Sequence, residues 1–327
     1  VLYTGNGSTQ GITGVGFQPN FSWIRERSGG QHHVLFDSVR GVGDYLSTTS
    51  TAGDVTDADT LTSFDSDGIS LGADVKVNEN TVTYLAWNWR AGTAFSNDAS
   101  ATGVGTIDSS GSVNTDVGFS IISYAGNTTA DAQIAHGLGV APEVVIFKRR
   151  DGATDWHTYH ASRADAAGTL MYLNTTSAGG DSAAFLNDVA PSSTVINLGD
   201  SAGTNGSSMI AYCFASVDGY SKFGSYTGNG STDGTFVYTG FRPAWVMIKR
   251  TDSTGSWPIT NNKALGYNPD NNELYANLTQ VEAASDSLDY LSNGFKLRRN
   301  SGEDNASGGT YIYMAFAEQP FKYSNAR

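Results

Sequence analysis

Three ring positions and one acidic loop hold the side chains best suited to chemistry. Counting seven residues on from Glu26, Arg149 and Arg250 lands on His33, Trp156 and Trp257, each just past a polar turn. A large ring at a strand start beside a loop has two uses. It plugs the end of a sandwich, or it offers a stacking platform for a sugar. The acidic loop carries Asp54, Asp57, Asp59, Asp65 and Asp67 with no Lys or Arg among them. Oxygen-rich loops of this kind can hold Ca²⁺, although the spacing of an EF-hand is absent and turn-forming aspartates on a wet surface give the same pattern.

Other chemistry finds less support. His157 and His160 lie three apart on an expected strand, and His32 and His33 are adjacent, so neither pair converges on one metal. Glycosidases use paired carboxylates, but the glutamates are scattered. No Gly-x-Ser-x-Gly elbow and no Gly-x-x-x-x-Gly-Lys loop occurs. The single Cys213 sits in an apolar strand, reads as a small core residue and rules out an internal disulfide. No cofactor is expected, Ca²⁺ being the one candidate, and the chain is read as non-enzymatic.

The elements that would position these residues come in threes. Gly16-Phe17-Gln18-Pro19, Gly139-Val140-Ala141-Pro142 and Gly240-Phe241-Arg242-Pro243 each lead into an apolar strand ending in a cation. Upstream, Tyr3-Thr4-Gly5-Asn6, Tyr124-Ala125-Gly126-Asn127 and Tyr226-Thr227-Gly228-Asn229 keep step. So do closing strands at Tyr84 to Trp89, Met209 to Phe214 and Tyr311 to Phe316. Three landmarks in one register indicate a threefold internal repeat. We therefore expect an all-β chain of three tandem antiparallel β-sandwiches of jelly-roll or lectin-like type: 1–90, 118–218 and 219–327. Residues 91–117, rich in small and polar types, read as a linker or surface loop. The first unit opens with only Val1 and Leu2 before its tyrosine, so its first strand is expected to be truncated, with a portion of the protein preceding it.

Glycine at 39 of 327 residues and 11% aromatic content suit strands joined by tight turns. Asp67-Gly68 and Asn293-Gly294 mark hairpins and suggest type I′ turns. The proline-led strands are apolar at consecutive positions, as in Val144-Val145-Ile146-Phe147 and Trp245-Val246-Met247-Ile248. A strand with one wet face alternates, so both faces must be covered, by a neighbouring repeat or another chain. A formal net charge of −13 argues against nucleic-acid and anionic-membrane partners, and no apolar run approaches the roughly 18 residues that span a bilayer.

Tyr-Thr-Gly-Asn-Gly-Ser-Thr, Gly-Phe-x-Pro-x-Trp-Val-x-Ile-Lys-Arg and Phe36-Asp37-Ser38-Val39-Arg40-Gly41 resemble a repeat family of marine tailed-bacteriophage structural proteins, cyanophages especially. Ser292-Asn293-Gly294-Phe295-Lys296-Leu297-Arg298 and the closing Tyr311 to Lys322 are similar too, as is the ending Asn325-Ala326-Arg327. The resemblance covers nearly the whole chain. It implies a lectin-like or laminin-G-like sandwich on the virion surface: a tail fibre or spike meeting host envelope glycans, or alternatively a capsid decoration protein. A polysaccharide-degrading enzyme is the third reading. Implied partners are other virion proteins and a host glycan, with a homotrimer by analogy to fibres and spikes.

Overall fold

A computed structural model describes residues 1–163, 168–264, 268 and 271–318. Among these the chain is all-β, with antiparallel ladders and four single-turn helices. The first large sheet has the order Leu2–Thr4, Thr83–Trp89, Phe21–Glu26, Val34–Asp37, Gly41–Leu46, Val55–Thr56. The last repeats that order with Ser221–Thr227, Thr310–Ala317, Pro243–Arg250, Pro258–Asn261, Asn271–Tyr275, Ala283–Ser285. The middle sheet carries the same run from Phe119–Tyr124 through Met209–Phe214 and Val144–Arg149 to His157–His160, Thr169–Tyr172 and Gly180–Asp181.

Among the described residues the middle sheet also has two strands that the others lack. Residues 91–117, read above as linker or surface loop, instead fold into a hairpin of Thr93–Asn97 and Ser109–Asn114 that pairs along the edge of Phe119–Tyr124. Its small polar residues look like a loop because an edge strand exposed to water needs few apolar side chains.

Each large sheet is backed by a small one. Gln10–Thr13, Gly68–Leu71 and Leu61–Asp65 back the first, Ala132–Ala135 and Val195–Leu198 the second, and Phe236–Tyr238, Gly294–Leu297 and Leu288–Leu291 the third. The hairpins at Ser66-Asp67 and Ser292-Asn293 fall where the dipeptides put them, but the turn type differs. Neither central residue of either turn has a positive φ, whereas a type I′ turn needs two. In both cases Gly closes the ladder, opposite Asp65 or Leu291, and does not form the turn. The glycine of every proline corner is left-handed, with φ of +85° at Gly16, +74° at Gly139 and +87° at Gly240. An L side chain there would be strained.

The consecutive apolar residues have their explanation in where the two faces go. Val145 and Phe147 turn toward their own small sheet, as do Val246 and Ile248. Val144, Ile146, Trp245 and Met247 turn the other way, with Phe21 and Trp23, into one central core built by all three large sheets. Rings interlock there across sheet boundaries: Trp89 with Trp245 at 5.9 Å, Phe21 with Tyr212 at 4.7 Å and Phe214 with Phe316 at 6.0 Å between centroids. Four cores result, one shared and three private. The void left at the centre is about 10 Å³, at the lower limit for a single water and too small for a ligand.

Candidate functional site

The three ring positions lie in the seams between large sheets, not on the surface. Trp156 is 0% exposed, Trp257 2% and His33 0%, so none can serve as a stacking platform. Each instead reaches the neighbouring sheet at an equivalent place. The Trp156 indole N–H donates to the Ser47 carbonyl at 2.8 Å, and that of Trp257 to the Tyr172 carbonyl at 3.0 Å. His33 accepts the Trp23 indole N–H on Nδ1 at 2.8 Å. Its other edge faces the backbone of Tyr275, without completing a hydrogen bond. Ser47, Tyr172 and Tyr275 stand opposite matching strand starts, so the second sheet bonds to the first and the third to the second through these rings, while His33 only faces the third.

A cation accompanies each ring. Lys148 Nζ donates to the carbonyls of Thr51 (2.9 Å) and Thr154 (3.0 Å). Lys249 Nζ donates to those of Thr176 (3.0 Å) and Gly255, and lies 5.7 Å over the Trp257 ring. Arg25 reaches the carbonyls of Thr279 (2.8 Å), Gln280 (2.6 Å) and Gln31. All three are buried, and none of these bonds goes to a carboxylate. Burial therefore pushes both lysines down to about 8 and Arg25 to about 10.

The sign of the consequence is fixed by linkage. Between pH 8 and the ordinary lysine value of 10.5 these two side chains hold more protons in the unfolded chain than in the folded one, so their contribution to stability rises with pH. From about pH 9 other groups reverse the slope, because burial raises the Cys213 thiol above its ordinary 9.0 and pushes Tyr84, Tyr159 and Tyr313 up to about 12, so all of them ionise first in the unfolded chain. The urea midpoint should climb from pH 8 to about pH 9 and then fall. A midpoint that drops steadily across that window, or climbs equally in a Lys148→Met/Lys249→Met double variant, would contradict this account.

The five aspartates do not converge on an ion site. Asp54 pairs with Arg40 (3.1 Å) and Arg150 (2.6 Å). Asp57 accepts the backbone N–H of Asp59 in its own loop and Asp59 that of Ala73 beyond the next hairpin, while Asp65 accepts the hydroxyls of Ser63 and Ser70. Asp67 accepts the N–H groups of Gly14 (3.1 Å) and Gly16 (2.6 Å), which lower its pKa. Among the described residues no three His, Cys, Asp or Glu are placed to hold a metal ion. Two carboxylates meet on Arg299, with Glu273 at 2.7 Å and Asp304 at 2.8 Å, but both are sealed. Burial raises Asp304 to about 7 against the pull of Arg299.

What remains accessible was not singled out by the sequence. On the outer face of the third small sheet, Phe236 is 45% and Tyr238 64% exposed, while Val237 between them is buried. The pairing puts Lys296 opposite Phe236 and Gly294 opposite Tyr238, and directly paired residues share a face. A Cβ on Gly294 would collide with the Val237 carbonyl oxygen at 2.1 Å and crowd Phe236 Cε2 at 3.0 Å, so glycine permits the close ladder here and leaves the Phe236 ring lying over it. Matching positions in the other small sheets carry Gly11 and Thr13, or Gln133 and Ala135. Comparing copies at these alternate positions would have exposed the signal: aromatic rings on a wet face where the sister copies have small or polar residues.

Three antiparallel sheets closed on one apolar core, with an aromatic pair open on an outer face, define an all-β protein. The chain belongs to the family described as Domain of unknown function (DUF7483), whose model matches residues 1–320. No curated protein and no solved structure matches it.

Proposed function

We propose that the chain is a non-enzymatic surface protein of a phage particle, a tail fibre or spike that contacts the host envelope through glycans. We read it as three tandem jelly-roll or lectin-like units at 1–90, 118–218 and 219–327. The ladder order common to the first and third sheets and the left-handed glycine at each proline corner support that division. The virion setting rests on the motif resemblance.

The observation that carries a contact role is the location of apolar surface. A capsid decoration protein held by its flat strand faces needs those faces free, and here the inner faces of the large sheets pack on one another. The Phe236–Tyr238 pair is left facing outward. A polysaccharide-degrading enzyme would need an accessible carboxylate pair flanking the bond; Glu273 and Asp304 are sealed around Arg299, and Asp98 and Asp108, which line an open pocket, already accept backbone N–H groups of one helical turn. Gold-labelled antibody against the chain should mark the tails of intact particles; label on the capsid would overturn the fibre reading. Incubation with host envelope polysaccharide should release no new reducing ends.

A further inference from the structure

We propose that Phe236 and Tyr238, with Gly294 and Lys296 beside them, form a stacking site for two neighbouring sugar rings of an uncharged polysaccharide. This rests on the glycan-contact reading above and assigns it a place and a ligand class. Residues i and i+2 of a strand stand about 6.6 Å apart on one face, so the two rings make a short, open strip. The carbon–hydrogen face of a pyranose is apolar and packs flat on an aromatic ring, leaving its hydroxyls to the rim. The glycine opposite Tyr238 keeps the strip low.

The charges around the strip choose the class. Asp289 shares this face through its pairing with Lys296. Lys296 is paired with Asp233, and Arg298 with Asp289 at 3.3 Å. Two acids and two bases cancel there, in a chain whose formal net charge is −13. A locally neutral rim, with donors and acceptors already paired, favours hydroxyl-rich neutral ligands over acidic or basic ones. The strip is also too small for a protein partner. A specific protein interface buries on the order of 1,000 Å² or more, whereas two half-exposed rings offer a fraction of that.

The test uses the whole chain with cellohexaose and mannohexaose as neutral probes and hexagalacturonate as the acidic one, followed by NMR and calorimetry. At least one neutral hexasaccharide should bind at millimolar concentration, with Tyr238 ring signals moving. The Phe236→Ala/Tyr238→Ala double variant should bind about tenfold more weakly or worse, with an unchanged urea midpoint. Binding that survives the double substitution would overturn this site while leaving the glycan-contact reading in place. Binding of hexagalacturonate alone would overturn the ligand class. Failure of every probe to bind would overturn the site, and adsorption of the chain to host cells would then decide the broader reading separately. A dimer in sedimentation that the double variant abolishes, without saccharide binding, would make the strip a protein contact and overturn the proposal.

Discussion

Trp245→Ala is expected to lower stability by about 3–5 kcal/mol and to do so in one transition involving the whole chain. The ring belongs to the third sheet but packs on Trp87 (6.2 Å) and Trp89 (5.9 Å) of the first, as well as on Phe316 (5.6 Å) of its own. Removing it opens a hole where three sheets meet, so no single unit can absorb the loss. Trp245→Phe should cost much less. Among the described residues Trp245 Nε1 has no hydrogen-bond partner, and a phenyl ring removes that unsatisfied donor while keeping most of the contact. Calorimetry of the full chain should show one peak displaced to lower temperature. Three peaks, with only the last one moved, would mean that the units melt independently and that the shared core contributes little.

The same reasoning predicts that residues 219–327 alone will not form a stable monomer. Trp245, Met247, Ile259, Met314 and Phe316 would then face water, a patch larger than monomeric proteins ordinarily leave exposed. Each unit has the length of an ordinary sandwich domain, and each does have a private core. The dependence arises because the large sheet has two apolar faces and the small sheet covers only one.

Much of this was legible in the residues, and the failures have physical causes. The proline corners, closing strands and doubled apolar faces are local signals, and local signals fixed the strands. Position 33/156/257 was recognised as special, but both uses considered for it lay at the end of an isolated sandwich. Its actual place, a seam between sheets, depends on how three sheets pack, which no window of sequence encodes. The buried cations were invisible for the same reason. Lys148 and Lys249 end their strands as surface lysines commonly do, and only the approach of Thr51 and Thr176 from the next sheet encloses them. The hairpin at residues 93–114 reads as a loop because its edge-strand chemistry matches that of one. Gly111, which looks like loop glycine, sits where a Cβ would collide with the Ile121 carbonyl. Phe236 and Tyr238 alternate with an apolar Val237, and no local signal says which face of so short a strand is wet until its pairing with Gly294 and Lys296 is known.

Arg40→Met carries the other large expected effect. Arg40 and Asp37 are both fully buried, and Arg40 Nε meets Asp37 Oδ2 at 2.5 Å. The guanidinium also donates to Asp54 (3.1 Å) and to the Leu35 carbonyl (2.7 Å). Burial alone would lower its pKa, but Asp37 outweighs that and raises it, so the charge is retained. Asp37 Oδ1 holds the turn through the N–H groups of Val39 (3.0 Å) and Arg40 (2.9 Å). Its Oδ2 accepts the Tyr212 hydroxyl from the second sheet at 2.8 Å. Asp54, once a candidate ion ligand, closes the network by accepting Arg150 of that same sheet. Methionine at position 40 strands a carboxylate in the interior, which costs about 3–5 kcal/mol. Asp37→Asn should cost less, since the amide oxygen still accepts from the turn and Arg40 keeps Asp54. Tyr212→Phe should cost about 1.5–3 kcal/mol, the range for a hydrogen bond to a charged group. Urea unfolding of the three variants would rank them, and an Arg40→Met midpoint close to that of the parent would show that the ion pair does not join the first two sheets.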